Sequence, residues 1–249
     1  MTENATSFGA NARRYAEGRP GYPGELFDWI VSEAPGTACA IDIATGSGQA
    51  ALSLAERFTH VFASDISEEQ IAHAPIAPNI TYAVASAEKT GFASGVADAV
   101  TVATALHWFD FPKFWEEVRR ICKPGALFCG WTYGLTEAEP EVQRELLDEV
   151  LAIADPYWAE GNRLSLRGYQ RDEIGFPFEE VTPPAIRMDL DWSVPRLIQM
   201  LETWSAVTRA RADGHSATLD DLMEDAVRKF GDAPRRVSMP LTIVAGRVA

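Results

Sequence analysis

The stretch Ala40-Ile-Asp-Ile-Ala-Thr-Gly-Ser-Gly-Gln49 decides the fold of this chain. An apolar run leads directly into a glycine-rich turn, and a helical pattern begins immediately after it. Glycine tolerates positive φ angles and lets a ligand approach the backbone closely, so Gly46 and Gly48 predict a tight binding turn. The helix that follows points its free N–H groups into the same space. The stretch therefore predicts a strand, a ligand-binding loop and a helix in that order.

Short apolar runs alternate with helical patterns around this stretch, which is typical of βαβ units in a parallel sheet. We predict strands at residues 38–44, 60–64, 80–85, 99–103, 126–132, 186–192 and 236–248. A strand late in the chain without its own crossover helix is expected to be antiparallel. The predicted fold class is therefore α/β, with a doubly wound, mostly parallel seven-stranded sheet, helices on both faces and an antiparallel last strand.

The domain organisation follows from where the alternation stops. We interpret residues 1–249 as a single domain and see no sign of a second domain with its own core. Residues 1–35 are predicted to form an N-terminal lid segment. Residues 134–184 contain an irregular stretch rich in glycine, proline, arginine and aromatic residues, and we predict that they form a cap or lid insertion.

Composition excludes several classes of partner. The chain carries a formal net charge of −14 at pH 7 and has no long basic run. Phosphate backbones and anionic lipids attract basic surfaces, so we expect neither a nucleic-acid nor a membrane partner. Without a membrane span or a signal core, the expected location is cytoplasmic. The three cysteines have no metal-ligand spacing, so we expect buried free thiols and no metal. The oligomeric state is not predicted.

Two carboxylates lie at the ends of consecutive predicted strands. Asp42 precedes the loop, where a carboxylate would repel a pyrophosphate but attract a ligand with sulfonium and ammonium groups. Asp65 ends the second strand, where a carboxylate can accept hydrogen bonds from both hydroxyls of a ribose. The loop also matches the dinucleotide fingerprint, and Asp65 suits either kind of nucleoside ligand.

Five ordered features between residues 38 and 132 resemble the class I S-adenosylmethionine-dependent methyltransferases. They are Asp42-Ile-Ala-Thr-Gly-Ser-Gly48, Asp65, Ser86-Ala-Glu88, Asp98-Ala-Val-Thr-Val102 and Lys123-Pro-Gly125. Two further runs are similar to the small-molecule branch that includes trans-aconitate methyltransferases. They are Tyr15-Ala-Glu-Gly-Arg-Pro-Gly-Tyr-Pro23 and Ala105-Leu-His-Trp-Phe109.

The resemblance implies a role for each matching position, with S-adenosyl-L-methionine as cofactor. The loop would hold the methionine part through Ala44, Thr45, Gly46, Ser47 and Gly48, and Asp42 would bind the cofactor directly or through water. Asp65 would bind the ribose, with Ile66 beside it, and Ser86, Ala87 and Glu88 would meet the adenine. Thr104 to His107 would lie under the sulfonium. The chain departs from the family pattern at Ala44, where the family has glycine, and at Ser86, where an acidic residue is frequent.

Several residues outside the loop are candidates for the acceptor or the lid. His107 is predicted to orient an acceptor oxygen or to act as a base. The Trp108 ring is predicted to pack against the sulfonium. For both residues, local packing at the end of a strand is the alternative. Tyr15 and Arg19 are predicted to close over the cofactor, with Arg19 pairing with its carboxylate. Tyr133 and Trp158 are predicted to line a substrate pocket.

The predicted function is methyl transfer to a small-molecule acceptor, with carboxylic acids among the expected acceptors. A non-catalytic module that binds the cofactor is the first alternative. An NAD(P)-dependent oxidoreductase is the second, although the chain lacks a Tyr-x-x-x-Lys pair. A nucleic-acid methyltransferase is disfavoured by the charge and by the missing Asn/Asp-Pro-Pro-Tyr motif.

Overall fold

The computed structural model describes residues 21–249, and a parallel β-sheet forms its centre. The parallel strands are β1 (Cys39–Ile43), β2 (His60–Asp65), β3 (Ile80–Val84), β4 (Ala97–Ala103) and β5 (Cys122–Tyr133). Their order across the sheet is β3-β2-β1-β4-β5. The first three strands are added toward one edge of the sheet and the next two toward the other, so the strand order reverses between β1 and β4. Open α/β sheets bind ligands outside the carboxyl ends of the strands at such a reversal.

The remaining strands pair antiparallel around β9 (Arg235–Arg247). The second half of β9 pairs with β5, and its first half pairs with β8 (Arg187–Trp192). The strands β6 (Glu137–Ala138) and β7 (Glu179–Glu180) also pair with β9. The α/β class and the antiparallel last strand are confirmed. The described sheet has nine strands where the sequence predicts seven, because two-residue strands are too short to show an alternating pattern.

The described residues form nine α-helices, in addition to short 3₁₀ and π turns. The first four are α1 (Gly24–Glu33), α2 (Gln49–Ala55), α3 (Glu68–Ala72) and α4 (Phe111–Ile121). Then α5 runs through Pro140–Val142, a π-helical turn at Gln143–Leu147, and Asp148–Ala154. The last four are α6 (Glu160–Leu166), α7 (Val194–Leu201), α8 (Ser205–Ala210) and α9 (Ser216–Phe230). The Ser67 side chain accepts a hydrogen bond from the Gln70 N–H and thereby caps α3.

Helices cover both faces of the sheet. One buried cluster joins Ile41 and Val100 to Phe114 of α4. A second cluster, on the opposite face, joins Ala40 to Phe27 of α1 and Leu54 of α2. Successive residues of β1 thus point to opposite clusters, as strand geometry requires. The three cysteines are buried free thiols, as expected.

The helices after β5 form a third buried cluster of their own. It joins Leu147 and Val150 of α5 to Leu197 of α7, Val207 of α8 and Met223 of α9. We call α5 to α9 the cap. The buried cluster contains residues from Val142 to Met239, so this part of the chain has a core that the sequence did not reveal. None of the described helices is long and apolar enough to cross a membrane.

Candidate active site at the carboxyl edge of the sheet

The loops that follow β1, β2, β3 and β4 meet at one edge of the sheet. The four strands are parallel, and their last residues are in register: Ile43 lies opposite Ser64, and Asp65 opposite Val84. The edge therefore gathers the glycine loop, Asp65, the residues after β3 and the residues after β4. These are the positions that the sequence assigns to the cofactor.

The glycine loop adopts the left-handed backbone that its composition predicts. Gly46 has a φ of 56° and Gly48 a φ of 82°, and a Cβ at Gly48 would lie 2.6 Å from the Tyr82 hydroxyl oxygen. A Cβ at Gly46 would meet nothing within 4 Å, so open space adjoins the loop at this point. Ala44 also has a positive φ, 55°, a conformation for which glycine is better suited. This explains physically why glycine suits the position where Ala44 stands.

Asp42 lies behind the loop rather than on its surface. The side chain is fully buried, and its two oxygens accept hydrogen bonds from Thr45 Oγ1 at 2.6 Å and Thr101 Oγ1 at 2.7 Å. Burial raises the pKa of this carboxyl to about 6, although the two hydroxyl hydrogen bonds oppose the shift. Through these two hydrogen bonds Asp42 connects Thr45 of the loop to Thr101 of β4.

Asp65 holds the other side of the same loop. Its two oxygens accept hydrogen bonds from the Gly46 N–H at 2.8 Å and the Ser67 N–H at 2.9 Å. The side chain is partly exposed, and each carboxylate oxygen can accept more than one hydrogen bond. Burial raises its pKa, against the effect of the two N–H groups. Asp65 can therefore position the loop and still accept from a diol.

The residues next to Asp65 offer an apolar contact and few free polar groups. Ile66 is 53% exposed, whereas Ala87 is buried against the cluster that contains α4. Ser86 forms a backbone bridge with Lys89, and Glu88 Oε1 accepts the Asp110 N–H at 3.0 Å. Glu88 thus contacts the start of α4 in this structure.

A cavity of about 110 Å³ opens where β4 and β5 end beneath the cap. The structure brings all four acceptor-site candidates to its wall: His107, Trp108, Tyr133 and Trp158. Thr104 also lines it and has a φ of 52°, an outlier for a β-branched residue. Such strain is frequent at functional sites. Tyr15 and Arg19 lie outside the described residues.

His107 is half-buried, and its environment keeps the imidazole neutral. Burial lowers its pKa to about 4, and its ring lies 4.5 Å from the Trp108 ring. Its Nδ1 is 2.8 Å from the hydroxyl oxygen of Tyr169. The sequence analysis did not identify Tyr169, which is 62 residues away in the chain. The preceding Gly168 is its only local signal; both residues have positive φ, and they turn the chain at the end of α6.

Trp158 contributes a polar atom with no partner among the described residues. Its indole nitrogen is buried and makes no hydrogen bond, while its ring lies 5.6 Å from that of Trp204. A buried N–H without an acceptor is unfavourable by about 1–3 kcal/mol. Because this residue lines the cavity, a ligand there could supply the missing acceptor.

The chain belongs to the S-adenosylmethionine-dependent methyltransferases. Residues 41–130 match the family described as "Methyltransferase domain". A candidate methyltransferase of Dictyostelium discoideum is 32% identical over 230 residues, which cover 90% of this chain and 86% of that protein. An uncharacterized methyltransferase of Mycobacterium tuberculosis is 34% identical over 120 residues, which cover 48% of this chain and 49% of that protein. The edge fits the cofactor, since Asp65 can take a ribose and open space adjoins Gly46.

Solved structures agree with this assignment at the level of the fold. A candidate type II methyltransferase from Anaeromyxobacter dehalogenans has a TM-score of 0.85 and 38% identity, covering 92% of this chain and 98% of that one. The cyclase SpnF has a TM-score of 0.52 and 16% identity, covering 99% of this chain and 96% of that one. The second likeness shows the fold alone. The fold by itself does not define the acceptor.

Proposed function

We propose that this methyltransferase acts on a small molecule held in the cavity between the sheet edge and the cap. One observation carries the proposal: Thr104 and His107 of the edge share one cavity wall with Trp158 of the cap. The cofactor loop and Asp65 lie along the same edge, so an acceptor in this cavity would be close to the cofactor. Its volume of about 110 Å³ suits a small acceptor or one part of it.

Bound S-adenosylmethionine would supply an electrophilic methyl group on its sulfonium, with S-adenosylhomocysteine as the leaving group. The loop residues would hold the methionine part, Asp65 the ribose, and Ile66 with the 86–88 segment the adenine. Neutral His107 would orient the acceptor oxygen or accept its proton. The cap excludes water and holds the acceptor in place, and positioning of this kind contributes a large part of such rate accelerations.

The lid and cap assignments remain proposals, the lid with narrower limits and the cap with wider ones. Leu26, Phe27 and Ile30 of α1 are fully buried in the core, so we restrict the proposed lid to residues before Gly24, including Tyr15 and Arg19. The proposed cap includes the predicted 134–184 segment and the helices up to Phe230. The proposed partner is a small-molecule substrate rather than a nucleic acid.

Calorimetric titration with S-adenosylhomocysteine, with NAD(P)H in parallel, tests the cofactor assignment. We expect micromolar binding of the first and none of the second. Methyl transfer is then tested by the release of S-adenosylhomocysteine from the methyl donor in the presence of carboxylic acids and uncharged hydroxyl compounds. Binding without turnover on any acceptor would favour a non-catalytic module.

Asp65→Asn tests the ribose assignment while keeping the shape of the side chain. We expect S-adenosylhomocysteine to bind at least tenfold more weakly, because charge-assisted hydrogen bonds contribute about 1.5–3 kcal/mol. Ser67→Ala is the matched control: it removes the cap of α3, which is worth about 1 kcal/mol of stability, and should leave affinity unchanged. Equal affinities in both folded variants would remove Asp65 from the ribose site.

A further inference from the structure

We propose that the cavity selects an uncharged, flat acceptor whose oxygen accepts a hydrogen bond from the Trp158 indole N–H. The proposal rests on the proposed function, since it names the class of acceptor for that same cavity. It also distinguishes between the two groups of acceptors in the turnover assay, carboxylic acids and uncharged hydroxyl compounds, because it disfavours carboxylates.

The described wall of the cavity has no formal charge. Its fifteen described residues include no lysine, arginine, aspartate or glutamate. His107 is the only described lining residue that could become cationic, and burial keeps its pKa at about 4, so it is neutral near pH 7. Burying a carboxylate without a cationic partner is strongly unfavourable. An uncharged acceptor avoids this penalty.

The nearby arginines of the cap are paired with acidic groups outside the cavity. Arg163 Nη1 lies 3.5 Å from Asp155 Oδ1, Arg167 lies 3.0 Å from Glu173, and Arg171 lies 3.1 Å from Glu180. None of the three arginines lines the cavity, although Asn162 and Ser165 of α6 do. The helix α6 thus directs an amide and a hydroxyl toward the cavity and its one arginine, Arg163, elsewhere.

Aromatic rings and one unpartnered donor define what would fit. Trp108, Tyr133, Trp158 and Trp204 all line the cavity, which favours a flat apolar body. A cavity of 150 Å³ in another protein binds benzene, so the volume of about 110 Å³ is on the scale of a single ring. The Trp158 N–H is buried without an acceptor, and an acceptor oxygen at that point would satisfy it.

The charge preference is tested with matched sets of single-ring acceptors. Each ring is supplied as a phenol, a benzyl alcohol and a benzoate to the full-length protein with S-adenosylmethionine, and release of S-adenosylhomocysteine is measured. We expect kcat/KM to be at least tenfold higher for the uncharged members. Preference for benzoates would overturn this inference and leave the proposed function standing. Turnover of none of them, in protein that binds the cofactor, would count against both.

Trp158→Phe tests the hydrogen bond, because it removes the N–H and keeps an aromatic ring. We expect KM for the best uncharged acceptor to rise about tenfold, with kcat and S-adenosylhomocysteine affinity little changed. Trp192→Phe is the matched control, since Trp192 ends β8 and its indole does not line the cavity. Equal KM values for the two variants would contradict the assignment of Trp158.

Discussion

At the scale of single residues, one hydrogen bond joins the sheet edge to the turn that ends α6. The Tyr169 hydroxyl lies 2.8 Å from His107 Nδ1, and the two rings are stacked with centroids 6.0 Å apart. Tyr169 is only 2% exposed and has a φ of 52°, so the surrounding fold holds it in an unfavourable backbone conformation. We regard Tyr169 as a positioning residue that acts through His107.

Tyr169→Phe should change the tautomer of His107. A phenol is a good donor, so we expect its O–H to donate to Nδ1 and leave the proton on Nε2. This tautomer favours the orienting role of His107 over the base role, because Nε2 then donates to the acceptor oxygen and cannot take its proton. Nitrogen-15 NMR of the imidazole should show one tautomer in the parent and a mixture in the variant, with a lower kcat. Tyr157→Phe, at an exposed tyrosine bonded to Asp213, is the control. Identical imidazole spectra in all three proteins would contradict this role.

Asp42, which is buried, and His107, which is half-buried, should make stability depend on pH in opposite directions. The pKa of His107 falls to about 4 from 6.5, so the unfolded chain binds a proton that the folded chain rejects. Its contribution to stability is therefore lost as the pH falls from about 6.5 toward 4. The pKa of Asp42 rises to about 6 from 3.8, so its contribution is present at low pH and lost as the pH rises toward 6.

Single substitutions should separate these two contributions, each of which is worth about 3 kcal/mol across its window. We expect Asp42→Asn to lose stability more steeply than the parent on acidification from pH 6 to 4.5. His107→Asn should lose it less steeply. Urea unfolding at three pH values measures both, and slopes equal to that of the parent would show that neither group titrates as described.

At the scale of elements, the turn between β1 and α2 carries strain that the sequence could relieve. Ala44→Gly should raise the free energy of unfolding by about 0.5–1 kcal/mol, because a left-handed backbone disfavours a residue with a Cβ. Ala40→Gly, at a fully buried and extended position of β1, is the control and should destabilise the protein. Denaturant unfolding compares them. A loss of stability in Ala44→Gly would mean that the methyl group contributes packing that outweighs the strain.

Elements with strong local signals were predictable from the sequence, whereas contacts between distant segments were not. The pattern from Ala40 to Gln49 predicted β1, the loop and α2, and Asp65 was located because it ends an apolar run. The orientation of Asp42 toward Thr101 depends on the pairing of β1 with β4, so no local pattern indicates it. Tyr169 reaches His107 through a turn with positive φ, and the unpartnered state of the Trp158 N–H depends on the whole cap.

At the scale of the whole molecule, the cofactor edge and the cap rest on separate buried clusters. Leu197→Ala in the cap and Leu54→Ala beneath the loop each remove a buried leucine and should destabilise by about 2–5 kcal/mol. We expect only Leu54→Ala to weaken S-adenosylhomocysteine binding, because α2 begins at the glycine loop. Leu197→Ala should instead raise KM for the acceptor. Calorimetry and kinetics at a temperature where both variants are folded distinguish the effects; loss of cofactor affinity in both would show that the clusters are not independent.

The strand β9 has a consequence for how the chain acquires this structure during synthesis. Residues 235–240 pair with β8, while residues 241–247 pair with β5. The single strand β9 therefore supplies the pairing partner of both β8 and β5. It follows all the cap helices in the chain, and until it emerges from the ribosome β5 lacks a partner on one edge and β8 has none in the sheet. Pairing between segments so distant along the chain is slow. A nascent chain that ends before residue 235 would thus expose two unpaired edges, the kind of surface that chaperones bind and that otherwise promotes aggregation.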